Sequence, residues 1–285
     1  MNLYPIIAGN FKLDGGAMFG AVPKTIWNKT NPADQNNLID IAARCLLIED
    51  GDRLILVDSG MGNKQSEKFF SYYSLWGDQT LERSIFAAGF SLEDVTDVFF
   101  THLHFDHCGG ATKKTLSGKG FEPVFKNAIY WTNQKHWDWA LSPNKREVAS
   151  FLKDNLLPIE KSGKLQFISN AKTSFSFVPE LGFDVFYADG HTEKQMIPVL
   201  NYKGQKIAFA ADLIPTAGHV PLPYVMGYDV RPLTTLKEKA LFLDYAVEND
   251  VLLFLEHDSV NEILSLKKTE KGIYVNEFLK FKDVF

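Results

Sequence analysis

Seven histidines stand at positions 102, 104, 107, 136, 191, 219 and 257, and three of them fall in one run, Thr101-His102-Leu103-His104-Phe105-Asp106-His107. In an extended chain residues i and i+2 point to the same face, so His102 and His104 can grip one cation while Asp106 and His107, past the strand end, reach a second. Imidazole suits zinc, iron, nickel or cobalt, and a carboxylate shared by two divalent ions holds them together. Two such ions about 3.5–4 Å apart share a water, bring its pKa toward neutrality and present hydroxide without any nucleophilic side chain. Hydrolysis is the reaction this run supports, with Asp106 placed to orient the hydroxide and pass its proton to the leaving group. Gly109-Gly110, just after the run, is expected to let the backbone turn tightly.

Ligands need rigid elements to hold them, and short apolar runs bounded by turn residues are frequent: 41–48, 54–57, 98–100, 165–168, 183–188, 207–211 and 251–255. These read as strands. Four of them finish beside a metal-binding side chain, namely His102, His191, Asp212 and His257, as a site along one edge of a sheet core requires. Asp50-Gly51-Asp52 and Lys203-Gly204-Gln205 separate paired runs and read as hairpin turns. Leu81, Ile85 and Ala88 recur at helical spacing up to Gly89, and Leu236, Ala240, Leu243 and Val247 form a second stripe that Thr235 and Glu238 would open as a capping box. Strands with interleaved helices suggest sheets packed face to face with helices outside. His136 is expected on a helix surface and Cys108 as a small packing residue.

Composition narrows the function further. The chain has 285 residues with 45% hydrophobic and 23% charged, the balance of an ordinary globular protein. It carries no low-complexity linker, so one domain over 1–285 is expected, with 1–37 as an N-terminal segment contributing to the active-site rim. A net charge of -5 offers no footprint for nucleic acid or an anionic membrane. The two cysteines, Cys45 and Cys108, make neither a disulfide framework nor a Cys-x-x-Cys pair. The opening residues lack the pattern of a signal peptide and no stretch is long enough to span a bilayer, so a cytoplasmic location is expected. A homodimer fits the base rates of soluble proteins.

HLHFDH followed by Gly-Gly, Gly190-His191-Thr192, Ala211-Asp212 and Glu256-His257-Asp258, in that order, resemble the metallo-β-lactamase superfamily. The resemblance spans 102–257 and implies an α+β four-layer αββα sandwich. It further implies a first metal on His102, His104 and His191, a second on Asp106, His107 and His257, and Asp212 bridging the two. Zinc is the first expectation for both ions, with cobalt, iron and manganese accepting the same ligands. Asp58 closes LILVDSGMG, where superfamily members carry a similar turn, and is expected to orient a ligand histidine from behind.

Residues 14–27, together with HLHFDH, resemble the quorum-quenching branch that opens N-acyl-homoserine lactones. That resemblance implies a small-molecule lactone as substrate, with Met18, Phe19 and Trp27 as an apolar rim for its acyl chain. Lactonases of this kind often place a tyrosine three residues after the bridging aspartate, where this chain has Pro215. Tyr224 or Tyr228 could supply that phenol from a loop, and His219 could reach the substrate pocket. An organophosphate or aryl-ester hydrolase and a thioesterase are the alternatives on the same two ions, and a non-catalytic metal-binding module is a third.

Overall fold

The computed structural model describes residues 1–168 and 174–284. The chain divides into two compact units, one of residues 1–10 and 43–170, the other of 11–42 and 171–285. A six-stranded sheet takes, in spatial order, Asn2–Asp14, Leu38–Asp50, Arg53–Val57, Asp97–Phe99, Ile129–Asn133 and Leu165–Ile168. A seven-stranded sheet takes Gly272–Leu279, Ile263–Thr269, Leu252–Phe254, Gln205–Phe209, Gln195–Tyr202, Phe183–Ala188 and Phe175–Val178. Both hairpin turns form where the sequence places them, closing Asp50 on Arg53 and Tyr202 on Gln205. Lys203 and Gly204 both have positive φ, 49° and 86°, the backbone a two-residue turn between twisted strands demands.

Asn2–Asp14 is a strand the sequence hides, because Pro5 and Gly9 interrupt its pattern. It lies at the edge of its sheet, where a missing N–H is tolerated.

Each unit carries its own core between sheet and helix. In the first unit Leu47, Leu56, Val98 and Tyr130 of the sheet pack on Ile85, Ala140, Leu156 and Ile159 of three helices. In the second, Phe186, Ile197, Val199 and Leu253 pack on Phe242, Leu243 and Ala246 of the helix Pro232–Glu248. Burying each such side chain contributes about 1.5–3 kcal/mol.

That last helix corrects the sequence expectation. It starts at Pro232 with Arg231 as its cap rather than at Thr235, and its buried face is Thr235, Lys239, Phe242, Leu243 and Ala246. Glu238 does not close a capping box. Its carboxylate instead accepts the main-chain N–H groups of Asp189 and Gly190 at 2.8 and 2.9 Å, two charge-assisted bonds that outcompete a local cap. Among the described residues no helix is long and apolar enough to cross a membrane.

Candidate metal centre

Direction and register bring the expected ligands to strand ends. Arg53–Val57, Asp97–Phe99 and Ile129–Asn133 are mutually parallel, with Val57 opposite Phe99. Their carboxyl ends therefore leave Asp58 and Thr101-His102 side by side, and the Asp58 N–H donates to the Phe99 carbonyl. In the second unit Gln205–Phe209 and Leu252–Phe254 are parallel, with Phe209 opposite Phe254, and Phe183–Ala188 runs the same way two strands across. His102, His191, Asp212 and His257 each lie three residues beyond the last strand residue, Phe99, Ala188, Phe209 and Phe254. This edge is where open α/β sheets commonly bind ligands.

In the first unit His102 Nε2 and His104 Nδ1 face each other at 3.1 Å. The other nitrogen of His102 is 3.1 Å from the Thr101 hydroxyl, which itself donates to Asp58 at 2.6 Å. Asp58 also accepts the Thr101 N–H at 2.8 Å and lies 3.1 Å from His107 Nδ1. One buried carboxylate, on a residue with φ of 58°, thus sits behind two histidines. Asp106 and His107 occupy a single helical turn, Phe105–Cys108, with Asp106 Oδ2 3.8 Å from His107 Nε2.

The glycines after this turn serve a different need from the one expected. Gly109 has φ of -62°, ordinary helical backbone. A Cβ on Gly109 or Gly110 would instead stand 2.2 Å from the Met61 carbonyl or 2.0 Å from the Ser59 carbonyl, so close backbone approach excludes a side chain there.

In the second unit Asp212 offers one oxygen to each of two histidines: Oδ2 lies 3.1 Å from His191 Nε2 and Oδ1 3.1 Å from His257 Nε2. Their outer nitrogens are taken, His191 Nδ1 by Asp229 at 2.9 Å and His257 Nδ1 by the Ala42 carbonyl at 2.8 Å. A ring that donates through Nδ1 presents a bare Nε2 when neutral, and a bare nitrogen 3.1 Å from a carboxylate oxygen is repulsive unless a cation or a proton lies with them. Burial alone would lower the His191 pKa, but Asp212 and Asp229 outweigh it and raise it to about 10. Negative neighbours that hold a proton this firmly also suit a divalent cation, and the donor set of imidazole and bridging carboxylate fits zinc and its first-row neighbours.

Not every histidine is of this kind. His136, expected on a helix surface, is fully buried, and its Nε2 lies 2.8 Å from the Leu103 N–H and accepts it. His219 sits 2.9 Å from the Met18 carbonyl through Nε2 and 2.8 Å from the Thr216 hydroxyl through Nδ1, stacked on Phe19 at 4.2 Å. Burial lowers its pKa to about 3. Met18, Phe19 and Trp27 are buried with it, Trp27 stacked on Phe19 at 5.3 Å. The Tyr224 carbonyl, with that of Pro221, accepts from the buried Lys239 ammonium, both at 2.9 Å, while Tyr228 is exposed. Burial lowers the Lys239 pKa to about 7.

Asp229, Phe69 and Tyr73, beside the expected ligands, are among the groups that escaped the sequence reading. Asp229 lies in a loop whose only signal is an aspartate before a helix-opening proline. Phe69 and Tyr73 pack on Phe105, between two ligands in sequence, with ring centroids 5.3 and 4.9 Å away. Burial and the Asp106 charge raise the Tyr73 pKa to about 12, so its phenol stays protonated.

Residues 40–257 match the family model described as the metallo-beta-lactamase superfamily. No curated protein matches the sequence. A probable metal-dependent hydrolase from Staphylococcus aureus superposes with a TM-score of 0.84 at 27% identity, covering 98% of both chains. AidC, a dizinc quorum-quenching lactonase solved with a product, gives 0.75 at 23% identity over 98% of this chain and 95% of its own. The hydrolase AbOPH of the beta lactamase superfamily gives 0.75 at 19% over the same shares. The mixed α/β architecture, with its two large sheets and the helices packed on them, is that superfamily's sandwich fold.

Proposed function

Because the chain belongs to the metallo-β-lactamase superfamily and is a metal-dependent hydrolase of it, we propose that it opens lactones, N-acyl-homoserine lactones first among them. The observation that carries the hydrolytic reading is Asp212, with one oxygen directed at each of two histidines whose outer nitrogens are already engaged. His102, His104 and His191 would hold one divalent ion, Asp106, His107 and His257 a second, and Asp212 both. Ions so held activate water and polarise a carbonyl, which is the chemistry hydrolysis needs.

The protein's own groups do the rest. Asp106 takes the proton from the attacking water as a bond forms to the lactone carbonyl carbon, and returns it to the ring oxygen as the carbon–oxygen bond breaks. The product is an open-chain hydroxy acid, which releases one proton at neutral pH. Phe69, Tyr73 and Phe105 would offer apolar surface to an acyl chain, and the protonated Tyr73 phenol would be the hydrogen-bond donor that a proline at 215 cannot be. The choice of lactones rests on the likeness of residues 14–27 and HLHFDH to the quorum-quenching branch, and AidC, a lactonase, has the same fold.

Proton release from a panel of short- and long-chain N-acyl-homoserine lactones and simple γ- and δ-lactones, using zinc-loaded protein, tests the reading. Lactones should open, and Asp106→Asn should lower the rate by about 10²–10⁴-fold, the range of a lost general acid–base. A zinc-loaded protein that opens no lactone but hydrolyses phosphotriesters, thioesters or aryl esters would overturn the substrate and keep the hydrolase.

A further inference from the structure

A neutral imidazole has one bare nitrogen, and the group on its other nitrogen decides which one it is. Four of the five ligand histidines have that group in Thr101, Asp58, Asp229 and the Ala42 carbonyl. His104 is turned the opposite way, since its Nδ1 faces His102. Its outer nitrogen is Nε2, and 3.4 Å from it lies Oε1 of Glu147.

Glu147 is 3% exposed and is held from its other side. Its Oε2 accepts the Trp139 indole N–H at 2.9 Å and the Asn144 amide at 2.6 Å, and its main-chain N–H donates to the Asn144 carbonyl at 3.2 Å. With one oxygen clamped by two donors the carboxylate cannot turn away from His104. A buried carboxylate is costly, several kcal/mol unless paired, and His104 is a cation or N–H donor 3.4 Å from its Oε1, whereas a neutral acceptor would already satisfy the Trp139 and Asn144 donors.

We propose that Glu147 is a positioning residue for the metal centre: it fixes His104 as the Nε2–H tautomer, which leaves Nδ1 bare toward the cation. This rests on the reading that His104 ligates a divalent ion. A carboxylate behind a ligand histidine also raises the basicity of the ring.

Two substitutions separate this role from a merely structural one. Glu147→Gln keeps an acceptor for Trp139 and Asn144 but turns an amide NH₂ toward His104. That amide favours the Nδ1–H tautomer, in which the ligand lone pair is lost. Glu147→Ala removes both functions and lets water solvate His104. The experiment is zinc competition against a chromophoric chelator, with ¹⁵N NMR of the His104 ring and thermal unfolding on the metal-free proteins. Glu147→Gln is expected to weaken one zinc site by about 10–100-fold, at least as much as Glu147→Ala does. It should also switch His104 to Nδ1–H and unfold at the wild-type temperature, while Glu147→Ala unfolds lower. An unchanged tautomer in Glu147→Gln, or zinc affinity that follows stability with Glu147→Ala the weaker binder, overturns the proposal. A wild-type chain that binds no zinc overturns the proposed function instead, and the tautomer comparison on metal-free protein still decides the role of Glu147.

Discussion

The two compact units position their proposed ligands in contrasting ways. The first draws four from the six residues His102 to His107, a single strand end and one helical turn. The second draws three, His191, Asp212 and His257, from three separate strand ends far apart in sequence. The contiguous set depends on local backbone and on the carboxylates behind it. The dispersed set depends on sheet register, since a one-residue slip of a strand turns its side chains to the other face. The contrast extends to support: Asp58 stands behind His107 directly and His102 through Thr101, whereas Asp229 stands behind His191 alone.

The contrast can be broken most forcefully at Asp212. Asp212→Ala removes both oxygens that face His191 and His257, so lactone opening should fall by more than about a thousandfold, the upper range for lost electrostatic stabilisation, and bound metal should fall toward one per chain. An alanine variant that keeps two ions and most of its rate would show that the dispersed set does not organise the centre. Next in size are the supporting carboxylates. Asp58→Asn and Asp229→Asn should each weaken zinc affinity by about 10–100-fold, with Asp58→Asn the larger because two histidines depend on it. Equal losses in chelator competition would erase the asymmetry between the units.

The smallest effect concerns His219, one of the two histidines outside the proposed ligand set. His219 has its folded-state pKa lowered to about 3, against 6.5 for the ordinary side chain. Between these values the unfolded chain takes up a proton that the folded chain refuses. The stabilisation is therefore complete above pH 6.5 and is lost as pH falls toward 3, at up to about 1.4 kcal/mol per pH unit. Urea unfolding of His219→Gln across this window should show a slope shallower by one proton. An unaltered slope would mean that His219 is not held neutral.

The same contrast governs what the sequence reveals. The contiguous ligands, the strand ends beyond them and Asp58 are legible because their chemistry lies within a few residues of a strand. Asp229 and Glu147 are not, because each meets its histidine across a long stretch of chain with no spacing to announce it. His136 misleads for a related reason: its helix looks solvent-facing until the Leu103 N–H, in the loop between two ligands, is found to need an acceptor. Long-range donors also explain the shifted start of Pro232–Glu248, where Glu238 serves Asp189 and Gly190. Met18, Phe19 and Trp27 are an apolar rim only by resemblance, and the His219 bond to the Met18 carbonyl and the two ring stacks that bury them carry no sequence signal.

The central claim is a centre of two divalent ions that drives hydrolysis, and titrating metal-free protein with zinc while following N-acyl-homoserine lactone opening tests it most directly. The rate should be absent at first, rise with added zinc and level off at two equivalents per chain. A rate that levels off at one equivalent, or persists in excess chelator, would contradict it.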